Sequence, residues 1–140
     1  PLREVTGTEI HRLTAEMLRE APSFSDAVDD ILFHLKDKLV VGHNLTFDLR
    51  FLEAEIERHY RERIHLEGLC TLQLSKALFP SLPIRRLDAL CEFLDIELME
   101  SHSALGDCEA TMQLFQRMKM LSEGIPDFDW ENMSVQPCCI

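Results

Sequence analysis

Positive charge is scarce in this chain: 14 Lys and Arg stand against 25 Asp and Glu in 140 residues, a formal net charge of −11. No global basic field exists to draw in a polyanion, so any nucleic acid must be held locally, by metal ions and a few donors. The sequence also lacks an apolar run of the roughly 20 residues that a membrane-spanning helix needs, and no charged-then-apolar leader opens it. No membrane contact and a cytoplasmic location are therefore expected. The five cysteines are odd in number and lack paired metal-ligand spacing, which argues against a disulfide framework and for reduced thiols. Cys91 and Cys108 fall on apolar helical faces and are expected to be small buried thiols. Cys138 is third from the C-terminal end, so a prenylation box, which needs cysteine fourth from the end, is not formed. No internal repeat or low-complexity linker occurs, and the 46% apolar content suits one globular unit with a single core.

The apolar pattern alternates between helical runs and short extended ones. Thr14 can cap a short helix from Ala15 to about Glu20, which Pro22 ends. Ser23 or Ser25 opens the next, over about 24–36, where Phe24, Val28, Ile31, Leu32 and Leu35 recur at helical spacing. The run 39–42, Leu-Val-Val-Gly, reads as a strand buried on both faces that delivers His43 and Asn44 to its C-terminal edge. Phe47, Phe51, Leu52, Ile56 and Tyr60 then give a helix over 47–62 with Asp48 in its first turn. Residues 66–74 read as a further strand or a strand-to-helix junction, and Pro80 and Pro83 enclose a turn. Helices follow over 86–95 and 104–121, the second with Ala104, Cys108, Thr111, Phe115 and Met118 in one phase and Leu105, Met112 and Leu114 beside it. Gly124 and Pro126 stop it, so the expected organisation is a domain over 1–121 and a loosely docked tail over 122–140.

Two segments carry chemistry. Ser101-His102-Ser103-Ala104-Leu105-Gly106-Asp107 sets a histidine and an aspartate at a helix start, and Asn44-x-x-Phe47-Asp48-x-x-Phe51-Leu52 sets a second aspartate at another. A histidine that takes a proton from water, beside carboxylates that hold hydrated divalent metal, is the equipment for hydrolysing a phosphodiester. Each residue also has a plainer explanation. An acid in the first turn of a helix is favoured by the helix dipole by a few tenths to about 1 kcal/mol with no metal at all. Phe47 and Phe51 read singly as core residues, and His34, His59 and His65 join no constellation.

Taken together and in order, the two segments resemble the second and third motifs of the DEDDh-type, DnaQ-like 3′-5′ exonucleases, which have an RNase H-like α/β fold. Ile10-His11-Arg12-Leu13-Thr14 with Pro22-Ser23-Phe24 is similar to the segment before the second motif, and Leu87-Asp88-Ala89-Leu90-Cys91 to the helix before the third. The resemblance implies two divalent ions, Mg²⁺ or Mn²⁺, astride the scissile phosphate. It casts Asp107 as a direct metal ligand, Asp48 as support for the second metal and His102 as the general base. Phe47 would lie against the terminal nucleotide, with Asn44 and His11 as polar neighbours. The implied partner is a DNA or RNA 3′ end, with association to a polymerase or to a second copy left open.

The chain departs from this pattern at its start. The family's first motif, Asp-x-Glu on the opening strand, should precede residue 10, and no such spacing occurs there. Cys70-Thr71 stands where the family often has Asp-Thr, and Arg12 where it often has glycine. Two readings follow. In the favoured one the fold is N-terminally incomplete, its opening strands missing, and the domain is a fragment inactive by itself. In the other, the chain is a shortened member that folds without those strands, by pairing edges with another copy. The alternative function is an exonuclease-derived scaffold that binds without catalysis.

Overall fold

The computed structural model of the protein describes residues 15–98 and 103–136. The chain divides into two compact units after Lys38. In the first, α1 (Ala15–Glu20) precedes α2 (Phe24–Leu35). Ser23 rather than Ser25 caps α2: its hydroxyl accepts the Asp26 amide at 3.2 Å while the Asp26 carboxylate accepts the Ser23 amide at 3.2 Å. The hydrogen bonds from the Ser23 side chain and backbone hold the Asp26 carboxyl below its usual range. Val28 is the fully buried residue of this helix.

The second unit runs β1 (Val41–Gly42), α3 (Leu45–Tyr60), β2 (Gly68–Cys70), α4 (Thr71–Leu78), α5 (Leu87–Phe93), α6 (Ala104–Glu123), a 3₁₀ turn (Glu131–Met133) and β3 (Ser134–Val135). The sheet order is β1-β2-β3. β1 and β2 are parallel, Val41 opposite Leu69 and Gly42 opposite Cys70, so α3 is the crossover that two parallel strands require. β3 is antiparallel to β2. The architecture is the mixed α/β arrangement expected.

Most of the core lies between α4, α5 and α6, where Leu74, Leu90, Cys91, Ile96, Ala110, Leu114 and Met118 are buried together. A smaller cluster of Leu45, Leu49 and Cys70 joins α3 to β2. The parallel strands approach closely at Gly68. A Cβ there would collide with the Val40 carbonyl oxygen and come within 2.6 Å of Leu45 Cδ2. Glycine is needed here for space, since the Leu69 amide donates to that same Val40 oxygen at 2.9 Å.

Several details differ from the sequence pattern. The first strand is confined to Val41–Gly42, and Leu39, expected inside it, is exposed. Residues 66–74 form a junction, three residues of strand running straight into α4. The stretch beyond 121 supplies β3 and sets Phe128 and Trp130 against the main core, with the Trp130 ring 6.3 Å from that of Phe115. On α6 the buried stripe is Ala110, Thr111, Leu114, Met118 and Ser122, which leaves Leu105, Met112 and Cys108 exposed. The long α6 pattern has apolar residues on more than one face, and packing against α4 and α5 selects one of them. Cys91 is buried as expected; Cys108 is not.

Gly68→Ala should destabilise the protein by about 1–3 kcal/mol, the usual cost of forcing atoms into a filled space. Denaturant unfolding with unchanged m-value would register it, and a neutral substitution would show that β1 and β2 can separate without penalty.

Candidate active site

β1 and β2 end at the same edge, and each leads at once into a helix. β1 does so through His43 and Asn44. Asn44 adopts the left-handed conformation, φ 60° and ψ 44°, which asparagine tolerates better than most residues, and its side chain makes no capping bond to α3. The turn itself thus accounts for an asparagine at 44. The first amide of α3, Leu45 N, donates instead to Cys70 Sγ at 3.4 Å, so the cysteine at the end of β2 helps hold the start of α3. Asp48 follows in the first turn of α3. On α6 the Ser103 hydroxyl accepts the Gly106 amide at 2.9 Å, and Asp107 lies in the first turn behind that cap.

Both aspartates face one cleft of about 740 Å³, whose lining also includes Val41, His43, Leu52, Cys108, Thr111 and Met112. The walls are largely apolar, and the partial desolvation they impose pushes the Asp48 carboxyl above its usual range even though water still reaches the residue. His43, half-buried, is pushed down by burial, against the opposing pull of the Arg85 carbonyl. Its Nε2 lies 2.7 Å from the Arg85 carbonyl oxygen and its Nδ1 2.8 Å from Thr71 Oγ1. A carbonyl only accepts, so Nε2 carries the proton. In the neutral ring Nδ1 then accepts from the threonine hydroxyl.

Of the residues singled out in the sequence, the fold brings Asp48 and Asp107 into the same cleft. Asn44 is exposed at the turn, and Phe47 is 66% exposed on α3. Phe51 is exposed as well, so neither phenylalanine is a core residue; the buried face of α3 is Leu45, Leu49 and Ile56. His11 and His102 lie outside the described residues. His43, Thr71 and Arg85 were not expected at the site. His43 was legible only as a polar residue at a strand end, since its partners stand 28 and 42 residues further on. Among the described residues no group of three or more His, Cys, Asp or Glu is arranged to hold a metal. The two cleft carboxylates suit a hard divalent cation in kind and fall short of a full set in number.

A parallel βαβ unit with polar side chains at the carboxyl ends of its strands belongs to the class of α/β proteins whose sites form at that edge. Within that class, residues 5–115 match the exonuclease family; the chain belongs to the DnaQ-like exonucleases. It is 34% identical over 121 residues to the PolC-type DNA polymerase III of Bacillus subtilis (strain 168), covering 84% of this chain and 8% of that protein. It is 36% identical over 99 residues to the 3′-5′ exonuclease DinG of Staphylococcus epidermidis, covering 71% of this chain and 11% of that one. The chain therefore spans only a small part of these curated relatives. Its fold is similar to that of exonuclease X solved in complex with 5′ overhanging duplex DNA, with a TM-score of 0.63 over 94% of this chain and 73% of that one, at 23% identity.

The raised Asp48 carboxyl has a consequence for stability. The folded state holds this proton more tightly than the unfolded state, so ionising the group costs stability as pH rises through the carboxylate range, and the deficit persists at neutrality. Asp48→Asn should raise the melting temperature at pH 7 without divalent cations, and the gain should vanish below the ordinary carboxylate value of 3.8. A lower melting temperature at pH 7 would mean that the helix dipole outweighs desolvation at this position.

Proposed function

We propose that the chain is a 3′-5′ exonuclease domain acting on DNA 3′ ends, with Asp48 and Asp107 as ligands for Mg²⁺ or Mn²⁺ and His102 as general base. The observation that supports it most is the convergence of two aspartates, distant in sequence and each in the first turn of a helix, on one cleft at the carboxyl ends of parallel strands. Divalent cations held there supply Lewis-acid stabilisation of the attacking and leaving oxygens. Asp107 and Asp48 would be the residues of the cleft that hold such a cation, whose oxygen preference suits carboxylates. His102 takes the proton of the attacking water, a role suited to a group that titrates near neutrality. The exposed Phe47 ring offers a face to the terminal base, with Asn44 and His11 as polar neighbours. Stacking of that kind contributes about 1–3 kcal/mol per base and needs no positive field, which a chain of net charge −11 lacks. DNA is preferred to RNA because relatives with the exonuclease fold are named for DNA polymerase and for a DNA complex. The same relatives make a polymerase polypeptide the fitting partner.

The charge of −11 favours a second reading, a scaffold that binds without cutting. Release of mononucleotides from a 3′-labelled strand separates the two. The 140 residues carry no Asp-x-Glu ahead of residue 11, so by themselves they should bind Mg²⁺ weakly and cut negligibly. With an Asp-x-Glu strand supplied upstream, 3′-directed hydrolysis should appear. In that protein His102→Ala should lower turnover roughly 10²- to 10⁴-fold, and Asp107→Ala should remove activity more completely. Robust digestion by the 140 residues alone, unaffected by His102→Ala, would overturn the assignment. End binding without hydrolysis in the extended protein would establish the scaffold.

A further inference from the structure

One polar cluster beside the cleft touches neither of its carboxylates. Thr71 and Ser75 are completely buried on α4, where His43 meets the first and Arg85 the second. The Arg85 guanidinium donates to Ser75 Oγ at 3.2 Å and to the Phe79 carbonyl at 2.7 Å, which folds the 79–86 segment back on the end of α4. This presents the Arg85 carbonyl oxygen to His43 Nε2. The other ring nitrogen meets Thr71 Oγ1 at the start of α4, and that hydroxyl also lies 3.4 Å from the carbonyl oxygen of Gly42, the residue before His43. One imidazole thus joins the end of β1, the beginning of α4 and the segment that leads into α5.

We propose that His43 is a positioning residue, a neutral clamp across these three segments that sets the left-handed turn at Asn44 and with it the place of Asp48 in the cleft. The inference rests on the exonuclease reading for what Asp48 does, and on geometry for the clamp. Both ring nitrogens are committed, Nε2 as donor and Nδ1 as acceptor, so His43 has no free nitrogen with which to take a proton from water. Its reach is mechanical. Asn44 follows it directly, α3 begins at Leu45, and Asp48 is in the first turn, so movement of the ring is passed to the carboxylate with little slack. Partners bonded directly to a metal ligand are usually worth roughly 10- to 100-fold in metal affinity, and a clamp acting through the backbone turn should act within that range.

The test uses the 140-residue chain, Mn²⁺ alone as probe, and three variants. His43→Leu removes both bonds, Thr71→Val removes the hydroxyl in nearly the same volume, and His43→Gln keeps an amide donor for the Arg85 carbonyl. Ring ¹⁵N spectra of the unaltered chain should show a pyrrole-type Nε2 and a pyridine-type Nδ1, with Thr71→Val shifting Nδ1. Mn²⁺ affinity by electron paramagnetic resonance should fall roughly 10- to 100-fold in His43→Leu and recover most of that loss in His43→Gln. If His43→Leu does not fold, Thr71→Val carries the affinity test with a loss of about 10-fold. A His43→Leu protein that melts at a lower temperature yet binds Mn²⁺ unchanged would reduce His43 to a structural role and overturn the proposal. So would a ring protonated on Nδ1. Failure of the unaltered chain to show even weak Mn²⁺ binding would count against Asp48 and Asp107 as cation ligands, and the ¹⁵N pattern would still decide the clamp.

Discussion

The site depends on how closely β1 and β2 approach. Gly68 leaves no room for a side chain between Val40 and Leu45, and the two strands end in register, Gly42 beside Cys70. That pairing fixes where two helices start. α3 begins three residues past β1 and α4 immediately past β2. His43, Asp48 and Thr71 therefore take their places from one short parallel ladder, and Asp107 reaches the same cleft because α6 packs on α4 through Leu74, Ala110, Leu114 and Met118. A separation of the strands would move the Asp48 carboxylate, its imidazole clamp and the floor of the cleft together.

The cleft combines apolar walls with few charges, and the physics of each follows from the other. Val41, Leu52 and Met112 line it, so the Asp48 carboxyl is partly stripped of water and raised. Such a group costs stability when it ionises, and a cation placed beside it would offset that cost. Scarcity of basic residues elsewhere makes this local arrangement more consequential. A polyanion meeting a chain of net charge −11 gains little from long-range attraction, so under the proposed function local cations and exposed rings such as Phe47 would have to supply the affinity.

Much of this was legible in the sequence, for identifiable reasons. The spacing of Phe47, Phe51, Leu52, Ile56 and Tyr60 made α3 readable as a helix, and an acid at 48 marked its first turn. The buried face proved to be Leu45, Leu49 and Ile56, with both phenylalanines exposed. α6 was readable in length, but apolar residues on several of its faces hid which stripe is buried, and Cys108 was assigned to the wrong one. β3 is two residues long and is held by pairing with β2 rather than by its own pattern, so no local signal announced it. The reason for Asn44 was also hidden. A left-handed turn and a polar neighbour of substrate call for the same residue type, and the turn shows itself only in the backbone angles. The His43 clamp was the least accessible, because its meaning lies in Thr71 and Arg85, which fold topology alone brings near.

Mn²⁺ titration monitored by amide line broadening tests the central claim most directly. Broadening that starts together at residues 42–50 and 104–111 would place the cation between Asp48 and Asp107, as the cleft requires. Broadening confined to the separate acidic surface of Asp88, Glu92, Asp95 and Glu97, with the cleft amides unchanged, would contradict it.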